Sequence, residues 1–459
     1  MQLFEVMDVV SKPVHVLVIS GAEDEDVTQS TAGRILKAAA KFGLKNHLIY
    51  TRHAFIADSD IDKKLVTIHN HDGKGKKLTI DCRNTVAFVR GGAVENMAGL
   101  GLLRTLEMCG CFTVNSREVM ELCRDKLLSA VLFEKKGIPS PRTSFVNGES
   151  SIDIALEKIG GKFPAIIKTI TGSKGIGVVK VESKDSMVSA LQAMWKYDAE
   201  VLIQEYIPLG YDVRTLVLDN EVIAVVRRNK VGEDFRTNVS LGAETQSYKL
   251  SKEEKEIVLK TSRLVGGYFV GIDHAVSNGQ IYVLEANGGP GSAAEYYAAG
   301  KKISGDEMMS RVVKYVSDRN NWKPQLVELG LIEPIEVGKL GVLEGKLDTG
   351  NGGYNALHAT NIDIRDGKVR FQTVDNKILR LPLQESREIH IGSGEVEDRP
   401  VVYLDTVFNG IKYKDVPYTL ADRSKNKHPV LIGRDFMIKA NVKVNLVKNM
   451  TLKPEIKEK

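Results

Sequence analysis

Hydrophobic positions along this chain change period several times, and each change predicts an element. Residues 14–20, VHVLVIS, run continuously apolar as a buried strand does, and Thr28 to Phe42 follows with helical spacing. A short apolar run at 47–50, HLIY, and another at 86–92, VAFVRGG, predict further strands. MAGLGLLRTLEMCG then returns to helical spacing before TVN at 113–115. Alternating buried strands and amphipathic helices predict a doubly wound α/β domain over 13–115. From Ser116 the stretch REVMELCRDKLLSAVLFEKKG reads as one helix, closed by Gly137 and stopped by Pro139 and Pro141. This opens a second domain over 116–318, followed by a linker at 319–335. From 336 to 459 the pattern becomes short strands separated by turn signals, a small all-β domain.

Within the second domain, PAIIK and GVVKV flank the glycine-rich run TITGSKGIG. A dinucleotide fingerprint needs such a loop to open a helix, and GVVKVE is strand-like instead, so hydride-transfer chemistry is excluded. The context predicts a strand, loop, strand hairpin that covers phosphates. Gly172, Gly175 and Gly177 free the backbone around Ser173, and Lys168 and Lys174 supply charge. Gln204 and Glu205 close a further strand, where they could meet an adenine edge. A dense polar set follows, Asp212, Arg214, Arg227, Arg228, Asp234, Arg236 and Asn238. Arginine forks in such number suit carboxylate and phosphate, with structural ion pairs as the rival reading.

The runs VGIDHA and IYVLEANGGPG around Asn278-Gly279 predict a hairpin. Period-two alternation puts Glu285 and Asn287 on one face. A three-residue loop from Asn278 to Gln280 sets Asp273 opposite Glu285. Two carboxylates and an amide oxygen are too few to cage an ion alone, which suits Mg²⁺ carried on a nucleotide.

Net charge is +5 over 459 residues without a long basic run, which argues against dedicated nucleic-acid binding. No apolar run is long enough for a membrane helix, and the acidic N-terminus does not read as a signal peptide, so a cytoplasmic location is expected. Cys82, Cys109, Cys111 and Cys123 are expected reduced, and His69-Asn70-His71 to lie in a solvated turn.

In order along the chain, RGG at 90–92 with GLLRTLE and Asn115, RDKLLS at 124–129, IIKTITGSKGIGVV, QEYIPLGYDVR, EDFRTN at 233–238, and GID with LEAN resemble the ATP-grasp ligases of the RimK type, which add glutamate to a ribosomal-protein tail. The resemblance implies an α/β ATP-grasp fold behind a doubly wound pre-ATP-grasp domain. It implies an ATP-dependent carboxylate–amine ligase forming an acyl phosphate, with an amino-acid substrate and a peptide or protein acceptor. Lys126 and Lys168 would contact phosphates, Glu205, Tyr206 and Ile207 would lie at the adenine and Asp212 near the ribose. Arg236, Thr237 and Asn238 would follow, and Asp273, Glu285 and Asn287 would hold two Mg²⁺ or Mn²⁺ ions. Arg214, Arg227 and Arg236 would stabilise the acyl phosphate. LEANGGPG carries glycines where these ligases usually have a small residue, Ser, then Pro-Gly.

The last domain, through LDTG, ALHA, LADRS and VLIGRDF, is similar to a retropepsin-like protease family, in which Asp348 would activate water. A single Asp-Thr-Gly demands a dimer, because such chemistry needs two carboxylates sharing a proton. The stretch after it, NGGYN, departs from the family pattern. The competing reading makes the ATP-grasp part a regulator of that protease.

Overall fold

The computed structural model describes residues 14–21, 27–61, 63–71, 74–172, 177–230, 244–292, 295–322, 327–351, 353–390 and 396–452. The chain divides into two compact units between Asn321 and Trp322.

In the first unit a four-stranded, all-parallel sheet is ordered Asn46–Tyr50, His15–Ser20, Thr85–Val89, Phe112–Val114. Helix Thr31–Lys41, capped by Ser30, and helix Met97–Met108, capped by Asn96, complete the doubly wound pattern. An antiparallel three-stranded sheet, Phe55–Asp60, Leu65–His69 and Lys77–Asp81, is inserted between the second and third strands in sequence. His71 is buried there and its Nδ1 bonds the Lys76 carbonyl, so the expected solvated turn is partly core. Cys82, Cys109, Cys111 and Cys123 are free and buried.

The single helix expected after Ser116 is two, Arg117–Arg124 and Lys126–Lys135. Asp125 takes an extended backbone, and its side chain accepts from the Leu128 N–H to start the second helix. An N-cap residue satisfies donors that a continuous helix would have satisfied itself, so Asp125 breaks the run without disturbing its hydrophobic period.

Two antiparallel sheets follow. One is ordered Val178–Val181, Ala165–Thr169, Val201–Glu205, Thr143–Val146. The other places Gln280–Asn287 beside Phe269–Ser277, then Tyr211–Leu218, then Glu221–Asn229. Helix Lys252–Val265 packs on the second sheet through Val258 and Val265.

At the start of that helix Glu254 is 4% exposed. It accepts from the Tyr248 hydroxyl at 2.8 Å and the Ser251 N–H at 2.7 Å, and lies 3.2 Å from His274 Nε2. Burial pushes this carboxyl up, but the His274, Ser251 and Tyr248 hydrogen bonds outweigh it and bring it to about 2. A folded value below the ordinary one stabilises the protein above the unfolded pKa, and that stability is lost as pH falls through the folded value. Between about pH 4.5 and 2 wild type should therefore lose ~3 kcal/mol relative to Glu254→Gln. Urea unfolding of both proteins across that range checks it, and a constant difference between their stabilities would refute the assignment.

The second unit begins at Trp322, inside the stretch read as a linker. Its strands Val327–Gly330 and Ile332–Val337 already belong to its sheets. Seven strands run from Ile332–Val337 through Val342–Leu347, Val430–Ile432, Asn355–His358, Ile411–Ala421 and Val396–Phe408 to Glu385–His390. Ile332–Val337 also pairs with Val396–Phe408, closing the sheet into a barrel around Phe371, Phe408 and Tyr418. Val327–Gly330 pairs in parallel with Val442–Asn445 as a separate two-stranded sheet.

Candidate active site

Two parity changes build the site. In the hairpin 269–287 the turn holds only Asn278 and Gly279, both at positive φ, and Ser277 pairs with Gln280. The expected three-residue loop is absent. Its effect on register comes instead from a bulge between the Asp273–Glu285 and His274–Val283 pairs, where Leu284 is the extra residue. Asp273 thus faces Glu285 as expected, for a different reason. In the hairpin 211–229 a second bulge separates the Val217–Val222 pair from Leu216–Ala224 and sets Asp212 opposite Arg228.

That second bulge corrects one expectation. Arg227 falls on the far face from Arg214, where its guanidinium stacks 3.8 Å above the Tyr211 ring and its Nε donates to Asn229. Arg228 occupies the near face instead, forking Asp212 at 2.6 and 2.5 Å and reaching Asp273 Oδ2 at 2.9 Å. Asp212 is 3% exposed beneath this fork, so its carboxylate serves Arg228 and is not open to a ribose. Arg214 forks Asp273 at 2.7 and 2.6 Å. Tyr296 lies beside Arg214 and donates to the Gly291 carbonyl at 3.1 Å.

Electrostatics split the carboxylate pair. Burial would push Asp273 up, yet Arg214 and Arg228 overcome it and hold the carboxyl well below the usual range. Burial, then the Asp273 charge, raises Glu285, against the pull of Lys126, Arg214 and Lys168. Asn287 Oδ1 accepts from the Gly289 N–H at 2.9 Å. Among the described residues no group of three or more His, Cys, Asp or Glu is placed to hold a metal ion. The donor set of two carboxylates and one amide oxygen fits a divalent cation whose remaining ligands are water and phosphate.

Glu285 shares a pocket with Lys126, Lys168, Gln204 and Cys123, walled by Phe133, Pro141, Leu202 and Val283. Lys126 Nζ donates to the Gly172 carbonyl at 2.9 Å. Lys168 donates to Gln204 Oε1 at 2.7 Å, and Gln204 donates on to Thr143 Oγ1 at 2.8 Å, fixing the amide's orientation. Glu205, on the opposite strand face, accepts from the Arg142 N–H at 2.7 Å and Nε at 2.8 Å. The Glu205 carboxylate is therefore committed to Arg142. Tyr206 lies under Lys180. Gly172 and Gly177 take positive φ, and Gly177 leaves no room for a Cβ beside Thr169. Ser173, Lys174, Gly175, Asp234, Arg236, Thr237 and Asn238 lie outside the described residues.

Burial, with Lys126 adding to it and Glu285 opposing, brings Lys168 down to about 8. Only the ammonium attracts phosphate, and it is lost as pH rises through that value. Nucleotide Kd should weaken about tenfold between pH 7 and 9, with proton uptake on binding. Titration calorimetry in buffers of different ionisation enthalpy reads both, and a pH-independent Kd would contradict the assignment.

In the second unit, the Asp348 N–H donates to Ile432 O at 3.0 Å and its Oδ1 accepts from the Gly350 N–H at 3.0 Å. Gly433 packs where a Cβ would stand 2.3 Å from the Gly353 carbonyl, and its N–H donates to Asn355 Oδ1. The loop bearing Asp348 is thus locked against VLIGRDF. Asp405, in the run DTV that lacks the glycine of Asp-Thr-Gly, pairs with Lys412 on the surface.

Residues 123–310 match the RimK-like ATP-grasp domain, and residues 330–455 match the retropepsin-like aspartic endopeptidase RimB. A probable alpha-L-glutamate ligase of Vibrio parahaemolyticus is 34% identical over 274 residues, 59% of this chain and 88% of that protein. One from Coxiella burnetii is 33% identical over 278 residues, 60% of this chain and 89% of its own length. This chain belongs to the RimK-like ATP-grasp ligases. Its family uses ATP with a divalent metal, and the chain is an ATP-grasp carboxylate–amine ligase carrying a retropepsin-like domain. Among solved structures, the ATP-grasp ligase PsnB complexed with a minimal precursor is 19% identical, covering 66% of this chain and 99% of that one, with a TM-score of 0.47. No helix among the described residues is long and apolar enough to cross a membrane.

Proposed function

We propose that this ligase activates the carboxylate of an amino acid, glutamate or a close analogue, and joins it to the amine of a peptide or protein tail. A cytoplasmic ribosomal protein is one acceptor of that kind. The observation that carries this reading is the placement of Glu285, with Asp273 across the strand, in one pocket with Lys126 and Lys168. Asp273, Glu285 and Asn287 would hold Mg²⁺, two ions when nucleotide is bound, and the metal would neutralise charge on the transferring phosphoryl group. Lys126 and Lys168 would hold the phosphates, Gln204 and the backbone of Glu205, Tyr206 and Ile207 the adenine, and Ser173, Gly175, Arg236, Thr237 and Asn238 would complete the phosphate and acyl-phosphate contacts. Phosphate release with Mg-ATP, glutamate and a panel of acceptor peptides tests it, with mass spectrometry on every peptide. Glutamyl mass gain coupled to phosphate supports the reading, and ATP turnover without any adduct would overturn it.

A second activity is favoured by the locked Asp348-Thr349-Gly350 turn. One copy supplies one such carboxylate, so an aspartic peptidase would form as a homodimer. The separate two-stranded sheet, followed by Leu446 and Val447 at 72% and 90% exposure, is a surface suited to that pairing. Asp348→Asn should leave phosphate release and ligation unchanged while ending peptide cleavage at least a hundredfold, roughly the scale of losing a general base. If the wild-type protein forms no adduct and cleaves peptide only with Mg-ATP, the nucleotide-gated protease becomes the better reading.

A further inference from the structure

Asp273 is expected to serve a divalent cation, yet both of its oxygens accept from guanidinium groups. The two arginines differ. Arg228 is 3% exposed in its side chain and forks a second buried carboxylate, Asp212. It is fixed from two sides. Arg214 has 20% of its side chain exposed, and its fork goes to Asp273 alone. A cation coordinated by Asp273 at ~2.1 Å comes within about 4 Å of that fork, where like charges shielded from water repel strongly. Cation and Arg214 therefore compete for one carboxylate, and Arg214 is the partner able to move.

We propose that Arg214 is an exchangeable counter-charge. It neutralises Asp273 until the divalent cation takes that carboxylate, and the fork is then released to the oxygens of the phosphoryl group and the acyl phosphate. The chemistry suits both positions, since a guanidinium pairs two-pronged with carboxylate or phosphate alike. Tyr296, buried beside Arg214, has its hydroxyl committed to the Gly291 carbonyl at 3.1 Å. The exchange also couples metal binding to nucleotide, because the phosphates offer Arg214 a replacement anion. This inference rests on the ligase reading.

The test uses Mn²⁺ as the probe, followed by electron paramagnetic resonance on the full-length protein with and without ATP. Without nucleotide, Arg214→Gln should bind Mn²⁺ about tenfold more tightly than wild type, as expected for removing a competing charge, while kcat for phosphate release falls. Affinity and turnover then move in opposite directions, whereas a merely structural role would lower both. Arg214→Lys keeps a point charge without the fork and should tighten Mn²⁺ binding about two- to threefold. It decides the matter should Arg214→Gln not fold. Adding Asp273→Asn to either variant should cancel the gain. Unchanged or weaker Mn²⁺ binding in both Arg214 variants overturns the exchange. Failure of wild type to bind Mn-ATP at all would overturn the ligase reading instead.

Discussion

Glu285→Ala should lower ATP-dependent phosphate release by about a thousandfold or more, the scale of removing a group that fixes metal and phosphoryl charge. The same change should leave the fold intact and slightly more stable. Burial and the Asp273 charge raise the Glu285 carboxyl, so its ionised form is disfavoured in the folded protein. The sign follows from linkage. A carboxyl whose folded pKa exceeds its unfolded value destabilises the protein at neutral pH, and deleting it relieves that cost. Kinetics and a thermal melt on one preparation read both effects. Full activity in the variant, or a collapse of its melting temperature, would remove Glu285 from the metal site.

Asn115→Ala should cost about 3–5 kcal/mol, because it strands several buried backbone groups at once. Asn115 is 1% exposed. Its amide donates to the carbonyls of Phe269 and Gly288 at 2.7 and 2.6 Å, and its oxygen accepts from the N–H groups of Tyr268 and Phe269 at 2.6 and 3.2 Å. One side chain at the end of the parallel sheet thereby holds the start of the strand bearing Asp273 and the loop that follows Asn287. Gly288 and Gly289 allow the approach, since Cβ atoms there would press on Met120 and Gly91. Asn115→Asp keeps the acceptor but loses both donors, and should be nearly as damaging. Urea unfolding measures both variants, and a loss under about 1 kcal/mol would show that water replaces these bonds.

The glycines of LEANGGPG gain a structural explanation from the same contacts. Their place beside Gly91 and Met120 is a matter of packing, and the loop is held further on by Ser292. That residue accepts from Arg34, and its N–H donates to Thr31 Oγ1, both partners lying on the first helix. Nothing in the sequence connects position 292 with position 34, because their proximity exists only once the parallel sheet and the hairpin sheet have packed together.

By itself, the sequence determined what local chemistry governs. It specified the strand and helix periods, the glycine hairpin that opens a strand and not a helix, the change to an all-β unit, and the residue types at Asp273, Glu285, Lys126, Lys168 and Asp348. Backbone sterics and hydrophobic alternation act over a few residues, so they can be read without the fold. Which face each residue meets was decided only in the tertiary structure. Strand side chains alternate with period two, so one inserted residue reverses every assignment beyond it. The bulge beside Glu285 brought about an arrangement that a different turn would also have produced. The bulge in the neighbouring hairpin set Arg228, not Arg227, opposite Asp212, whose burial makes it that arginine's partner and not a ribose contact. Both bulges lie in the sheet that packs against helix Lys252–Val265, and no local pattern of polar and apolar positions marks them.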